Sequence, residues 1–377
     1  MKKLGIYIHI PFCKHKCTYC DFLSFIPRNE DRMEMYCRYL VKEIALYKKQ
    51  AVGCEVDTIY FGGGTPSLLT PKQIETILHG IEDAFFITQN PEITIEVNPE
   101  TVDATWVEAL AKTSINRVSV GLQDTHDEVL HLVGRQGNKE DFFQTMKAFK
   151  DFGFNNISAD MMLGLPLQNK DSILSVAKTI VALDIPHISA YSLIVHEDTS
   201  LYGFLKKNPT LLPTEEEERE MYYRLTDYLE AQGFVRYEIS NFAKPGYESR
   251  HNLKYWNLDP YVGIGLGAAG FYNKERRVNP KSFQVYYDIL DKGELPYKIE
   301  YSLTKEDEMS EFAFLSIRRR EGISLLDFKN RFGVEFFDVF SLEKHFQSKL
   351  VELRQGHVVL TPKGSDLSNL VEVDLIL

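Results

Sequence analysis

No stretch of eighteen uncharged apolar residues occurs in this chain, and the longest candidate, 260–273, is short and rich in glycine. An ordinary membrane-spanning helix is therefore not expected. Positive charge is also short: 43 Lys and Arg stand against 54 Asp and Glu, a net charge of −11. That is the wrong sign for a diffuse polyanion binder, so nucleic acid is not an expected partner. Low-complexity segments are absent, and so are internal repeats beyond a strand–helix period. Cysteine is sparse, five in 377 residues, and the odd number does not read as a disulfide framework. Only about seven mostly apolar residues separate Met1-Lys2-Lys3 from Pro11, too few for a secretory signal. A cytoplasmic protein is expected, and crowded thiols in that compartment point to a metal or redox centre. What remains is ordinary globular composition, 44% apolar and 26% charged.

Up to about residue 200, short apolar runs alternate with amphipathic stretches. Strands are predicted at 4–10, 57–61, 93–97, 117–121, 157–162 and 187–193. Helical patterns lie near 30–50, 71–84, 103–113, 124–151 and 170–183. Thr70-Pro71 and Thr101-x-x-Ala104 resemble helix starts, and Gly153 resembles a stop. Repeated strand–helix units require a parallel sheet with helices outside it. Six units predict an α/β fold, a partial (β/α)6 TIM-like barrel, with chemistry at the C-terminal strand ends. Residues 1–235 are read as the core barrel, including a helix over 213–232 with an acidic first turn. Residues 236–300 are read as an aromatic and Gly-rich segment completing the site, with weak strand signal at 236–240. Residues 301–377 are read as a mainly helical, winged-helix-like domain: helices at 303–318, 324–331 and 336–354, then a short hairpin at His357. With 10 basic and 13 acidic residues from Tyr301 onward, that domain lacks the charge of a DNA reader.

The strand ends carry the unusual residues. Cys13-x3-Cys17-x2-Cys20 follows the first strand and Gly62-Gly63-Gly64-Thr65-Pro66 the second. Glu96, Gln123, Asp160 and the pair Tyr191-Ser192 mark the other four. Three thiolates on one loop permit a Cys3His zinc site with His9 or His15, or a redox Cys17–Cys20 pair. They also permit an iron–sulfur cluster with one iron left for an outside ligand. Cys37 and Cys54 receive no role. The glycines let a ligand approach the backbone closely, but no Lys follows as in a phosphate-binding loop. Glu96 and Asp160 suit ribose hydroxyls or an ammonium group, Arg135 is a fork-shaped donor for a carboxylate, and Gln123 offers a neutral donor and acceptor. Gly265-x-Gly267-x-x-Gly270 matches a dinucleotide pattern outside any clear βαβ unit, and is read as close backbone approach beside the site.

Cys13-x3-Cys17-x2-Cys20, with Tyr19 before the third Cys, resembles the radical S-adenosylmethionine (SAM) signature. There the SAM amino and carboxylate groups chelate the open iron of a 4Fe–4S cluster, and the reduced cluster can split the sulfonium. The likeness extends to Tyr7-Ile8-His9-Ile10-Pro11-Phe12-Cys13, Phe61-Gly62-Gly63-Gly64-Thr65-Pro66, Glu96-Val97-Asn98-Pro99, Val120-Gly121-Leu122-Gln123-Asp124, Gly134-Arg135 and Asp160-Met161-Met162-Leu163-Gly164-Leu165-Pro166. Together these resemble the oxygen-independent coproporphyrinogen III dehydrogenase-like family across essentially the whole chain. The resemblance implies metal ligands Cys13, Cys17 and Cys20. It implies SAM contacts at Tyr7, Tyr19, Gly63, Gly64, Thr65, Glu96, Gln123, Arg135 and Asp160.

Two branches of that family differ here. The dehydrogenases resemble Cys-x3-Cys-x2-Cys-x-Cys and carry an N-terminal extension. This chain has Phe22 at the fourth position and starts its first strand almost at Met1. In both respects it is similar to the HemW branch, whose members are haem chaperones. His251-Asn252-Leu253-x-Tyr255-Trp256 resembles that branch's haem motif, implying His251 as an axial ligand. Tyr255 and Trp256 would lie against the porphyrin, Arg250 and Lys254 would meet its propionates, and His9 and His196 are weaker ligand candidates. The implied function is a haem chaperone that holds haem and a SAM-ligated cluster and passes haem to acceptor haem proteins, membrane respiratory enzymes among them. An electron donor to the cluster is implied, SAM cleavage and dimerisation stay open, and coproporphyrinogen III decarboxylation is the alternative function.

Overall fold

The computed structural model describes residues 1–27 and 29–377. Six parallel strands stand side by side in chain order: β1 (Lys2–Ile10), β2 (Cys54–Gly63), β3 (Ile87–Val97), β4 (Arg117–Gln123), β5 (Ile157–Leu163) and β6 (His187–Ser192). They were legible because a parallel strand covered on both faces is apolar almost throughout. In β4, for instance, every residue from Arg117 to Leu122 is buried. The helices between them are α1 (Glu30–Tyr47), α2 (Pro71–Ala84), α3 (Ala104–Leu110), α4 (Asp127–Leu132), α5 (Lys139–Asp151) and α6 (Lys170–Ala182). α2 starts as its sequence announces, with Pro71 in the first turn and a reciprocal Thr70–Gln73 capping box. α3 does not start at Thr101: its cap is Asp103, which accepts from the Trp106 amide, while Thr101 closes a 3-10 turn. Gly153, at φ +88°, does follow the end of α5.

One predicted helix, 124–151, is two. Gly134 takes φ +75° after α4, and the Arg135 amide returns to the Leu130 carbonyl. The helix stops there because a left-handed residue cannot continue it, and the stop aims Arg135 back at the strand ends.

The sheet does not close on itself. After α7 (Ser200–Leu205) and α8 (Glu215–Ala231), strands β7 (Val235–Arg236) and β8 (Asn241–Ala243) extend it antiparallel beyond β6. Of the predicted strand at 236–240 only Arg236 lies in one; 237–240 instead connect β7 to β8. α9 (Arg250–Trp256) precedes β9 (Tyr261–Ile264), which pairs parallel with the other edge of β1. β10 (Ala269–Tyr272), β11 (Glu275–Val278) and β12 (Lys298–Ser302) finish the twelve-stranded sheet, with α10 (Phe283–Asp291) packed on α1. The Gly265–Gly270 run joins β9 to β10 with no helix after it. Its backbone is approached closely, but by α1 and the cysteine loop rather than from the site. The Gly265 amide donates to Glu43 and the Leu266 amide to the Tyr36 hydroxyl, and a Cβ at Gly267 would lie 2.5 Å from Leu23.

A second apolar cluster forms around Phe312, Phe328, Phe332, Phe336 and Phe340. The predicted helix 336–354 is instead two short turns, Phe336–Val339 and Glu343–Gln347, followed by strand Val351–Arg354. That strand pairs antiparallel with His357–Leu360. Gln355 and Gly356 both have positive φ, +49° and +80°, the geometry a two-residue hairpin needs. No helix among the described residues is long and apolar enough to cross a membrane.

Candidate cofactor site at the strand ends

The loop between β1 and α1 is closed at its neck and clamped at its tip. The Cys13 amide donates to the Phe25 carbonyl at 3.0 Å, and the Phe25 amide to that of Pro11 at 2.7 Å. At the tip, the Thr18 amide donates to Val133 at 3.0 Å, and the Leu201 amide to Thr18 at 2.9 Å. Cys13, Cys17 and Cys20 are free and half-buried, and all three line one cavity of about 530 Å³. Burial pushes the Cys13 and Cys20 thiols up from their ordinary value, so metal binding there must displace protons.

The glycines of β2 form the second wall. A Cβ at Gly64 would lie 2.6 Å from the Phe12 carbonyl oxygen and 3.0 Å from the Cys13 sulfur. Only a residue without a side chain lets the chain pass that close to the cysteine loop as it leaves β2. Beside it on the neighbouring strand β3 lies Glu96, whose Oε1 accepts from the Tyr60 hydroxyl at 2.9 Å and Oε2 from the Gly63 amide at 3.1 Å. Burial first, then repulsion from Asp160, raises the Glu96 carboxyl to about 7. Asp160 is raised mainly by burial while accepting from Ser119 at 2.9 Å. Arg135 is the buried cation of the cavity, donating to Asn98 at 3.2 Å and to the Gly121 carbonyl at 2.7 Å. Gln123 reaches the wall from a left-handed backbone (φ +67°) where the β4–β5 register slips.

Cys13, Cys17, Cys20, Tyr19, Gly63, Gly64, Thr65, Glu96, Gln123, Arg135 and Asp160 therefore share one cavity. Tyr7 is outside it, behind Tyr60, with its hydroxyl 3.0 Å from His9 Nδ1. Asn98 and Ser119 line the cavity and were not singled out as ligands. Asn98 bridges Arg135 to the Thr65 hydroxyl. It stands two residues after Glu96, where strand alternation returns a side chain to the same face.

Three thiols, two carboxyls and a buried guanidinium suit a cluster with a cationic, carboxylate-bearing ligand. Among the described residues no group of three or more His, Cys, Asp or Glu converges as one ion requires. His9, one of two candidate nitrogen donors for zinc, is turned to Tyr7 and the Leu23 carbonyl. With the Glu96 carboxyl raised to about 7, a positively charged ligand is expected to bind more weakly below that pH. There the protonated carboxyl must first lose its proton, so affinity falls by up to about tenfold per pH unit. Calorimetry with SAM at pH 6 and pH 8 checks the sign, and equal affinities would refute it.

His251 lies elsewhere. It is fully buried on α9, its Nδ1 2.8 Å from the Thr58 hydroxyl and its Nε2 2.8 Å from that of Tyr255. Burial, with Lys254 and Arg117 nearby, lowers its pKa to about 3 and keeps it neutral. Both ring nitrogens are engaged, so iron ligation requires at least one of these bonds to open. The flanking cations are engaged as well. Lys254 is buried against Asp57 at 2.7 Å, and Arg250 donates to the Asn90 and Asp57 carbonyls at 3.0 and 3.2 Å.

The profile of the Radical SAM superfamily matches residues 7–180, and that of the HemN C-terminal domain matches 303–367. The heme chaperone HemW of Bacillus subtilis is 35% identical over 366 residues, covering 96% of each chain. That of Lactococcus lactis is 31% identical over 98% of this chain and 96% of its own. In fold, the chain is similar to Escherichia coli coproporphyrinogen III oxidase HemN, with a TM-score of 0.87 at 22% identity over 99% of this chain and 90% of that one. Taken with the three-cysteine loop and the strand-end cavity it opens on, this similarity over nearly the whole length places the chain in the HemW family of radical SAM proteins.

Proposed function

We propose that this chain is a cytoplasmic haem chaperone that binds haem and a SAM-ligated 4Fe–4S cluster and passes haem to acceptor haem proteins. The observation carrying the proposal is the loop of three free thiols opening on a cavity that also holds Glu96 and Arg135, in a chain alike to HemW proteins from end to end. Cys13, Cys17 and Cys20 would hold the cluster. When bound, the cluster supplies one-electron reduction of the SAM sulfonium, given a reductant. The chain's own residues do the rest. Arg135 presents its fork to the ligand carboxylate, Glu96 and Asp160 accept from its hydroxyl or amino groups, and Gly63 and Gly64 let it lie against the backbone. His251 is the proposed iron ligand for haem, once α9 releases it.

Phe22, exposed at the cavity mouth, stands where the dehydrogenases resemble a fourth cysteine. Haem carriage is accordingly favoured over porphyrinogen decarboxylation. The test is a titration of anaerobically reconstituted protein with haem, followed at the Soret band, then mixing with an apo haem protein. Saturable binding, weakened at least tenfold in His251→Ala, and haem gain by the acceptor are expected. Coproporphyrinogen III should stay unchanged with SAM and reductant. Decarboxylation of that substrate, or no haem binding at all, would overturn the proposal.

A further inference from the structure

His251 also packs against a residue of the strand-end cavity. Its imidazole lies over the Tyr60 ring with centroids 5.2 Å apart and planes 28° from parallel. Tyr7 covers Tyr60 from another side, at 6.3 Å and 24°. Tyr60 in turn donates its hydroxyl to Glu96 Oε1 at 2.9 Å, inside the strand-end cavity. The imidazole is itself held on three sides. Thr58, two residues before Tyr60 on β2, meets one ring nitrogen, and Tyr255 meets the other. Glu92 of β3 caps the start of α9, accepting from the Arg250 and His251 amides at 3.0 and 2.9 Å. Glu92 and Glu96 share β3, and Thr58 and Tyr60 share β2. α9 is thereby tied to the same two strands that carry the cavity wall.

We infer that His251 is a positioning residue for the SAM cavity: through Tyr60 it holds the Glu96 carboxyl in its ligand-accepting orientation, coupling the two sites. The inference rests on reading that cavity as the SAM site. Any movement of His251 toward a haem iron removes one wall from Tyr60 and must break a bond to Thr58 or Tyr255. Tyr60 then gains rotamers in which its hydroxyl no longer meets Glu96. Haem ligation and SAM affinity are consequently linked, and by reciprocity each ligand alters the other's binding by the same factor.

The decisive experiment measures SAM affinity by equilibrium dialysis on cluster-loaded, haem-free, full-length protein. Tyr60→Phe deletes one hydrogen bond to the carboxyl and is expected to weaken SAM about three- to tenfold. His251→Ala should weaken it by about the same factor, and the double variant should be no weaker than either single one, because both act through one contact. His251→Phe, which restores a ring against Tyr60 but bonds neither Thr58 nor Tyr255 and offers no iron ligand, should recover only part of the affinity. Thr58→Val, which frees the imidazole without removing it, covers the case that His251→Ala does not fold and should also weaken SAM. The inference is overturned if His251→Ala and Thr58→Val both match the wild type, or if the losses in the double variant multiply. If the wild type itself fails to bind SAM while loaded with cluster, the reading of the cavity fails first and takes the inference with it.

Discussion

Cys17→Ser should leave a folded protein without iron. The loop around Cys17 is held by backbone bonds, from Cys13 to Phe25, Thr18 to Val133 and Leu201 to Thr18, none of which uses the sulfur. Fold stability should therefore change by no more than about 0.5 kcal/mol, the range of substitutions away from packed or bonded features. Cluster binding has no such redundancy. On the proposed reading three thiolates would be the whole protein contribution, and a hydroxyl is a poor substitute for a soft thiolate at iron. Iron and acid-labile sulfide should fall from about four per chain to well under one after anaerobic reconstitution, with Cys13→Ser and Cys20→Ser behaving alike. Cys37→Ser and Cys54→Ser should keep the full complement, since both side chains are buried in the apolar core behind α1 and β2. Undiminished iron in Cys17→Ser, or one zinc per chain in the wild type, would refute the three-thiol reading.

Arg135→Met should weaken SAM binding at least about 30-fold without unfolding the chain. Arg135 is 7% exposed and holds two acceptors, Asn98 Oδ1 and the Gly121 carbonyl, at the edge of the cavity. Met keeps much of its volume but brings no positive charge. A ligand carboxylate would then be buried without a partner, at a cost of about 2–5 kcal/mol, or roughly 30-fold to several thousandfold in affinity. Arg135→Lys should recover only part of the loss, because an ammonium is a point charge and cannot pair with both oxygens of a carboxylate at once. Calorimetry reports the affinity and a thermal melt the fold. Arg135→Met binding SAM within twofold of the wild type would remove Arg135 from the site.

How much of this was legible follows from the range of the forces involved. β1 to β6 could be read because burial on both faces leaves a local apolar signature, and the α2 start because its capping box spans only four residues. The three cysteines could be read because their spacing on one loop is itself the chemistry. Asp103 displaced Thr101 as a helix cap because two caps two residues apart compete, and a 3-10 turn took the earlier one. The division of 124–151 hinged on one backbone angle at Gly134. The hairpin inside 336–354 depended on Val351–Arg354 finding a partner strand, which no helical periodicity reveals.

The amino-acid order alone determined the strand–helix alternation, the chemistry available at the strand ends and the resemblance that named a family. Tertiary structure alone decided which of those residues meet. It put Tyr7 behind Tyr60, and brought Arg135 to the cavity edge across a left-handed turn. It set His251 between Thr58 and Tyr255, 193 residues from the first and four from the second. Contacts across such separations depend on how the sheet stacks its strands, and that information is spread over the whole chain rather than carried by any one motif.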